Sequence, residues 1–326
     1  MRRSTTGSGE QKFESWRSYI ALARVDHITK HVFVLPGIVL AWNLRGPQNE
    51  LIPLSLLLGF ITAITIASAN YVINEWLDRD FDRHHPTKSS RPAVSSDLRP
   101  AIILFMWLLL AAAGLMSAWL ASITMLGIAF AFAMQGLVYN VCPLRTKDRA
   151  YLDVISESVN NPIRLMIGWA MIDSSSLPPS SIVASYWLGG AFLMATKRLS
   201  EYRQIVASHG RDLLIRYRLS FRGYDEVKLI VSCFLFALLS SFLLAVFLIK
   251  YRIEYILTMP AFALLFAQYL SISLKPDSVA QRPEKLFREP RLILSVSLVV
   301  VLCIITTFFD IPVLEPLASQ HYIIIR

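Results

Sequence analysis

The sequence of 326 residues is 55% apolar and only 17% charged, carries a net charge of +9, and has a mean hydropathy of +0.50. Soluble domains typically contain about 25% charged residues, so this composition excludes an ordinary water-soluble globule and predicts an all-α, polytopic membrane protein. The three cysteines, Cys142, Cys233 and Cys303, are far apart and form no CxxC pair, so they indicate neither a disulfide framework nor a zinc site.

The first thirty residues are polar and mix acidic with basic side chains. They lack the short apolar core and small-residue cleavage site of a secretory signal. We therefore expect residues 1–30 to be a cytoplasmic N-terminal segment, residues 31–310 to form one transmembrane bundle, and residues 311–326 to be an extracytoplasmic tail.

Apolar runs recur along the rest of the chain, and several are interrupted by Pro, Gly or polar residues. Membrane helices tolerate such interruptions when neighbouring helices satisfy the freed backbone groups. The pattern predicts about nine transmembrane helices, near residues 31–44, 52–73, 101–120, 122–141, 151–172, 183–196, 228–249, 253–274 and 292–309.

Basic residues are distributed unequally between the two sides of these predicted spans. If the intervening segments alternate sides, 27 of the 32 Lys and Arg residues fall on the side of the N-terminus. The positive-inside rule makes that side cytoplasmic, so we expect a multi-pass protein of the cell (inner) membrane with a cytoplasmic N-terminus. Because membrane orientation explains most of the basic excess, no nucleic-acid partner is expected.

Acidic residues cluster where the second predicted span ends. Glu75, Asp78 and Asp82 fall at positions i, i+3 and i+7, so they share one helical face, with Asn74 at its edge. Hard oxygen ligands of this kind suit Mg²⁺, which takes one or two carboxylates and completes its shell with water and phosphate oxygens. The alternative is a solvated helix end at the membrane surface.

A proline-bounded loop with two cations follows this acidic face. Lys88 and Arg91 lie between Pro86 and Pro92, and cations beside a carboxylate-bound metal are suited to the remaining oxygens of a diphosphate. The adjacent histidines at 84 and 85 lack a Cys or HExxH context, so we expect loop residues rather than metal ligands.

These two segments together resemble the UbiA superfamily of intramembrane prenyltransferases. Asn74 through Asp82 matches the family signature N-D-x-x-D-x-x-x-D, with Glu75 in place of the usual Asp, and Lys88, Arg91 and Pro92 match the downstream K-x-x-R-P. The resemblance implies a nine-helix bundle with its active site under cytoplasmic loops. It implies a metal site at Asn74, Glu75, Asp78 and Asp82, and catalytic roles for Asp78, Asp82, Lys88 and Arg91.

The next polar positions are Tyr139 and Lys147. Family members often carry a Tyr followed after a short gap by a Lys at this place, but here the gap is longer and contains Pro143. The resemblance implies substrate binding by both side chains. Tyr139 is otherwise an interfacial belt residue.

The fifth predicted span is too polar to face lipid. Asp153, Glu157, Asn161 and Arg164 recur at steps of three and four residues, and ionisable groups inside a membrane usually face a bundle interior or cavity. We expect these four residues to line a substrate cavity. The alternative is a purely structural network among them.

The segment after the sixth span departs from the family pattern. Most members carry a second motif there, D-x-x-x-D, which holds a second metal, whereas this chain has Lys197, Arg198 and Glu201. The reversed charge argues against a second Mg²⁺ and favours phosphate. Lys-Arg-x-x-Glu resembles the branch that makes polyprenylphosphoryl phosphoribose, which implies substrate binding by these three residues. Positive-inside charges at a helix end are the alternative.

The resemblance therefore implies a Mg²⁺-dependent transferase that moves 5-phosphoribosyl from phosphoribosyl diphosphate to a polyprenyl phosphate among the membrane lipids. The first alternative is an aromatic, 4-hydroxybenzoate-type polyprenyltransferase with an isoprenyl diphosphate donor, for which the second aspartate motif is expected. A second alternative is a transporter or lipid-binding protein. A carrier has no evident need for carboxylates and cations packed into one loop.

Overall fold

The structure is a computed structural model that describes residues 16–275, residue 278 and residues 289–314. These residues form α-helices and short 3₁₀ segments with no strand among them, which confirms the all-α prediction. Residues 1–15 of the expected N-terminal segment and 315–326 of the expected tail lie outside the described residues. The three-part division of the chain stays a prediction.

The α-helices follow one another in the described part of the chain with short connections. They are α1 (Trp16–Leu22), α2 (Leu35–Arg45), α3 (Ile52–Asp82), α4 (Pro92–Ser95), α5 (Pro100–Ala121), α6 (Ile123–Asn140), α7 (Leu152–Ser158), α8 (Asn160–Ile172), α9 (Ser180–His209), α10 (Arg211–Tyr217), α11 (Glu226–Tyr251), α12 (Met259–Ser273) and α13 (Pro290–Phe308). The 3₁₀ segments are Val25–Val34, Lys88–Ser90, Thr146–Asp148, Leu219–Arg222, Ile253–Thr258 and Pro312–Leu314.

Six helical segments of the described residues are long and apolar enough to cross a membrane. They are Ile52–Asp82, Pro100–Ala121, Ile123–Asn140, Glu226–Tyr251, Ile253–Ser273 and Pro290–Phe308. The chain is therefore a multi-pass membrane protein. The other three predicted spans coincide with α2, with α7 and α8, and with α9, none of which meets that criterion. The total of nine spans, the assignment to the cell (inner) membrane and the cytoplasmic position of the N-terminus stay predictions.

The fifth predicted span is divided into α7 and α8 at Val159. Pro162 lies one turn later, and since proline has no N–H it cannot donate the helical hydrogen bond to the carbonyl of Ser158. The break separates a short polar helix that carries Asp153 and Glu157 from a helix that is buried along most of its length.

Two helices extend beyond their predicted spans. Helix α3 continues to Asp82 and helix α9 continues to His209, so the acidic face and the Lys-Arg-x-x-Glu segment both lie on the last turns of long helices. At a rise of about 1.5 Å per residue, the nine residues beyond position 73 extend α3 by roughly 13 Å. The candidate residues of the acidic face and of the Lys-Arg-x-x-Glu segment are thus held on helices rather than on loops.

Helices α2 and α8 pack backbone against backbone through two glycines. A Cβ added to Gly37 would lie 2.0 Å from the carbonyl oxygen of Leu165, and one added to Gly168 would lie 2.1 Å from the carbonyl oxygen of Val34. Small residues allow this approach of membrane helices. We call this contact the glycine seam.

Gly168→Ala should therefore destabilise the protein, although the change adds only one methyl group. Backbone atoms cannot rotate away from the new Cβ, and overpacking of this kind costs about 1–3 kcal/mol. Thermal unfolding of the purified protein in detergent measures the change. Gly127→Ala on α6 is the matched control, since nothing lies within 4 Å of its added Cβ; equal melting temperatures for the two variants would contradict the seam.

Candidate active site

The carboxylates at the end of α3 are divided between two sets of cations, and together they form what we call the α3-end cluster. Its members are Asn74, Glu75, Asp78, Asp82, Arg91, Arg145 and Lys147. In the first set, Nη1 of Arg91 lies 3.1 Å from Oε1 of Glu75 and 2.9 Å from Oδ2 of Asp82. Nη1 of Arg24 lies 2.7 Å from the same oxygen of Glu75. Both carboxylates are buried, so Arg91 fastens the loop after α3 to that helix.

Asp78 contacts the second set of cations. Its Oδ1 lies 2.5 Å from Nζ of Lys147 and 3.1 Å from Nη2 of Arg145. The same ammonium donates to Oδ1 of Asn140 at 2.7 Å and to Oδ1 of Asn74 at 3.4 Å. Burial lowers the pKa of Lys147 to about 8, and the neighbouring carboxylate of Asp78 opposes that shift. Three side-chain oxygens therefore converge on one buried cation.

The predicted Mg²⁺ ligands fit the ion only in part. Among the described residues, no group of three His, Cys, Asp or Glu side chains is arranged to hold a metal. However, Mg²⁺ needs only one or two carboxylates when phosphate oxygens and water complete its shell. The oxygens of Asn74 and Asp78 already share a cation, the ammonium of Lys147. This donor chemistry suits Mg²⁺ bound together with a diphosphate.

Lys88 is a cation of the same loop without a carboxylate contact. Its Nζ lies 5.8 Å from the centre of the Tyr217 ring, and no described carboxylate lies within 4 Å of it. Burial lowers the pKa of Lys88. Its ammonium is thus available to a bound anion.

Arg198 on α9 lies at the centre of a second group, which we call the central cluster. Its members are Tyr139, Asp153, Glu157, Arg198, Glu201 and Arg218. Three guanidinium nitrogens contact different carboxylates: Nε lies 3.1 Å from Asp153, Nη2 lies 2.9 Å from Glu157, and Nη1 lies 3.2 Å from Glu201. The side chain of Arg198 is only 2% exposed. The guanidinium therefore neutralises carboxylates from both α7 and α9.

Tyr139 and Arg218 complete the central cluster. The hydroxyl of Tyr139 donates to Oε2 of Glu157 at 2.9 Å and accepts from Nη2 of Arg218 at 2.9 Å. Asp153 accepts hydrogen bonds from the hydroxyls of Ser220 at 3.0 Å and Tyr224 at 2.7 Å. Tyr139 is therefore part of a buried network and not only a residue of the membrane interface.

The two clusters are neighbours. Nζ of Lys147 lies 5.9 Å from the centre of the Tyr139 ring. Nε2 of His85, in the loop after α3, lies 3.7 Å from Oε1 of Glu201. Burial lowers the pKa of His85, and Glu201 opposes the shift. The loop thus connects the end of α3 to α9.

The remaining predicted residues lie outside both clusters. Asn161 packs against α9, where a Cβ added to Gly190 would lie 2.2 Å from its amide nitrogen. Lys197 is half-buried and has no described carboxylate within 4 Å. Arg164 is buried in α8, and its Nη1 donates to the backbone oxygen of Asn160 at 3.2 Å.

The structure brings into the site several side chains for which the sequence predicted no role there. These are Arg24, His85, Asn140, Arg145, Arg218, Ser220 and Tyr224. The basic ones are explained equally well by membrane orientation, and only contacts across the bundle distinguish them. The Lys-Arg-x-x-Glu motif likewise does not predict that Arg198 pairs with three carboxylates.

Comparisons with known proteins bear on the family and the fold of the chain. The model of a family described as the UbiA prenyltransferase family matches residues 32–289. The nodulation protein NoeC of Azorhizobium caulinodans is 27% identical over 205 residues, which cover 62% of this chain and 64% of that protein. A protoheme IX farnesyltransferase of Geobacillus thermodenitrificans is 27% identical over 198 residues, which cover 58% and 62% of the two chains. The chain thus spans a little under two thirds of the length of these relatives.

Solved structures show the same fold. A UbiA homologue from Archaeoglobus fulgidus bound to DMAPP and Mg²⁺ has a TM-score of 0.65 at 18% identity, over 90% of this chain and 100% of that chain. The structure of a UbiA homologue from the same organism bound to GPP and Mg²⁺ gives 0.66 at 20% identity, over 89% and 99% of the chains. At these identities the similarity concerns the fold alone.

Proposed function

Because the chain belongs to the UbiA prenyltransferase family, we propose that it is a membrane transferase that moves a group from a diphosphate donor to an acceptor within the bilayer. The observation that carries this proposal is the α3-end cluster, where carboxylates and an amide oxygen meet the cations of two loops. The alternative function, that of a carrier or lipid-binding protein, does not require carboxylates and cations to be packed together in this way.

The donor site follows from the α3-end cluster. Mg²⁺ would be held by Asn74, Asp78 and Asp82, and when bound it would neutralise charge on the departing diphosphate. Oε1 of Glu75 contacts both Arg24 and Arg91, so we assign this residue to positioning Arg91. Lys88 and Arg91 bind the remaining diphosphate oxygens, which stabilises the charge that develops there in the transition state.

Lys147 changes partner when the donor binds. In the structure its ammonium contacts the oxygens of Asp78, Asn74 and Asn140. With a metal held at Asp78, this ammonium would lose its carboxylate partner, and the diphosphate would offer it a stronger anionic partner than the amide oxygens. Lys147 would thereby bind the diphosphate.

Within this reaction class, we infer that the group transferred is 5-phosphoribosyl. The support is the charge reversal at 197–201, where Lys197, Arg198 and Glu201 replace a second carboxylate pair. In this reaction the bond between C1 of the ribose and the diphosphate oxygen breaks, and a bond from C1 to an oxygen of the polyprenyl phosphate forms. The lipid phosphate is already anionic at neutral pH, so no strong general base is needed.

Prenyl transfer from an isoprenyl diphosphate is the second candidate function. It is favoured by the relatives, which include protoheme IX farnesyltransferases, and by homologous structures bound to DMAPP and GPP. Of the relatives named above, none is described as a phosphoribosyltransferase. The central cluster does not distinguish the two candidates, because Arg198 is already neutralised by carboxylates.

Parallel assays of the purified protein with Mg²⁺ separate the candidates. One assay combines labelled phosphoribosyl diphosphate with decaprenyl phosphate, and the others combine farnesyl diphosphate with either protoheme or 4-hydroxybenzoate. Labelled phosphoribosyl lipid supports the first candidate. A farnesylated product without any phosphoribosyl lipid overturns it in favour of the second.

Lys88→Ala should raise KM for the diphosphate donor about tenfold to a hundredfold, since a hydrogen bond to a charged group is worth about 1.5–3 kcal/mol. Steady-state kinetics with the active donor measure this change. Lys228→Ala is the matched control, because that lysine is 51% exposed and pairs with Asp225 at 3.1 Å. An unchanged KM in Lys88→Ala would remove this residue from the donor site.

A further inference from the structure

Four basic side chains lie behind the central cluster, and we call them the inner basic group. They are Lys30, His31, Arg164 and Lys197. Lys30 and His31 belong to the 3₁₀ segment before α2, whereas the other two lie on α8 and α9. Arg164 follows Glu157 by seven residues along α7 and α8, which places it about 10 Å further along the helical direction. None of the four belongs to the α3-end cluster, although Lys197 is within electrostatic reach of Lys88.

Arg164 is buried without a counter-charge. Only 5% of the residue is exposed, and no described carboxylate lies within 4 Å of its guanidinium. Its Nη1 donates to the backbone oxygen of Asn160, and the side chain of Tyr71 is within hydrogen-bonding reach. Its Nε is buried with no hydrogen-bond partner among the described residues.

Other arginines of the polar interior differ from Arg164 in this respect. Arg198 contacts three carboxylates, Arg145 contacts two, and Arg91 contacts two. An uncompensated buried charge costs several kcal/mol, and ionisable groups inside a membrane bundle commonly mark a substrate path. Arg164 has no such partner among the described residues, and a bound anion would supply one.

The basic side chains near Arg164 that the structure describes add positive charge. The imidazole of His31 is within electrostatic reach of Arg164 and Lys30, and its Nδ1 is also buried without a partner in the described part of the chain. Nζ of Lys30 lies 5.1 Å from the centre of the Tyr71 ring. Lys197 is within electrostatic reach of Lys30, Arg198 and Lys88, and also of the carboxylate of Glu157. Basic groups from three elements thus converge on one region.

We propose that the inner basic group binds a second oxyanion of the substrates, a phosphate or carboxylate that is not the departing diphosphate. This proposal rests on the proposed function only in that the oxyanion belongs to the donor or to the acceptor. Nε of Arg164 and Nδ1 of His31, which have no partner among the described residues, and two further cations, Lys30 and Lys197, supply the charge and the directed hydrogen bonds that an oxyanion requires. Tyr71 contacts two members of the group: Nζ of Lys30 lies 5.1 Å from the centre of its ring, and Arg164 is within hydrogen-bonding reach of its side chain.

Thermal unfolding in detergent tests the proposal. EDTA is present, so no metal contributes to binding at the donor site. The probes are ribose 5-phosphate, farnesyl phosphate and 4-hydroxybenzoate, each compared with its neutral counterpart: ribose, farnesol or phenol. At least one anion should raise the melting temperature by about 2–5 °C more than its counterpart. The anion that protects identifies the source as sugar phosphate, lipid phosphate or carboxylate.

Arg164→Gln should weaken that protection at least tenfold in ligand concentration, as expected for a lost charge-assisted hydrogen bond. Without ligand the variant should melt at the wild-type temperature or above it, because an unpaired buried charge has been removed. Arg45→Gln is the matched control, since Arg45 is 50% exposed and pairs with Asp173 at 3.0 Å. Its protection by the anion should be that of the wild type.

The proposal is overturned if no anion protects the wild-type protein more than its neutral counterpart, or if Arg164→Gln keeps full protection. If Arg164→Gln does not fold, His31→Gln provides the same comparison at a half-buried site. Asp78→Ala separates this proposal from the proposed function: it should lose group transfer and keep the anion-dependent protection. Loss of protection in Asp78→Ala as well would place the anion at the α3-end cluster and overturn the separate site.

Discussion

Asp78→Ala and Asp82→Ala are each expected to reduce group transfer by about a thousandfold or more, whichever donor is used. Interactions with charge that develops on a leaving group are among the largest single contributions to catalysis, and both carboxylates lie where the metal and the diphosphate are proposed to bind. Asp78 also holds Lys147 and Arg145, and Asp82 holds Arg91. Each substitution therefore disturbs a donor-binding cation as well as a metal ligand.

Asp80→Ala is the control that the same helix provides. Its carboxylate is 64% exposed and pairs only with Arg79 and Arg83 among the described residues. It shares charge, residue type and helix with its neighbours but faces away from the cluster, so its removal should leave product formation near the wild-type rate. Full activity in both Asp78→Ala and Asp82→Ala would refute the donor site.

Arg198→Leu is expected to destabilise the protein by about 3–5 kcal/mol and to abolish activity. Removal of one partner from a buried ion pair leaves an uncompensated charge at this cost, and here the guanidinium is the common partner of Asp153, Glu157 and Glu201. Chemical denaturation in detergent measures the loss of stability. Diphosphate release measures the activity at a temperature where the variant stays folded.

Arg198→Lys distinguishes geometry from charge. An ammonium restores the positive charge but does not reproduce the planar fork that reaches three carboxylates in different directions, so only part of the stability should return. Arg203→Leu on the same helix is the control, because Arg203 is 43% exposed and pairs with Glu226 at 3.5 Å. If Arg198→Leu unfolds at the same denaturant concentration as that control, the central cluster is not structural.

The α3-end carboxylates show which features of a site can be predicted from sequence. Helical periodicity places Glu75, Asp78 and Asp82 on one face, and the structure has them on one continuous helix. Their partners were not predictable in the same way. Arg24 precedes Glu75 by 51 positions and Arg145 follows Asp78 by 67, and no local pattern specifies which distant cation reaches which carboxylate.

The central cluster also shows that a local sequence pattern does not specify the role of each buried polar residue. The polar fifth span predicts buried contacts, and the structure contains them, but the sequence left a substrate cavity and a structural network as alternatives. Arg198 organises the carboxylates, because its Nε, Nη1 and Nη2 each donate to one of them. The motif does not indicate a further N–H of Arg198 that points toward a phosphate. Lys197, without a described carboxylate contact, is the better candidate for substrate binding.

The glycine seam relates the positions of two members of the inner basic group. Gly37 and Gly168 bring the backbones of α2 and α8 into contact, Arg164 lies one turn from Gly168, and His31 lies in the 3₁₀ segment that leads into α2. The separation of these two side chains therefore depends on a contact between main-chain atoms, which cannot rotate away as side chains can. The oxyanion site that we propose would thus be built on a backbone contact rather than on adjustable side chains.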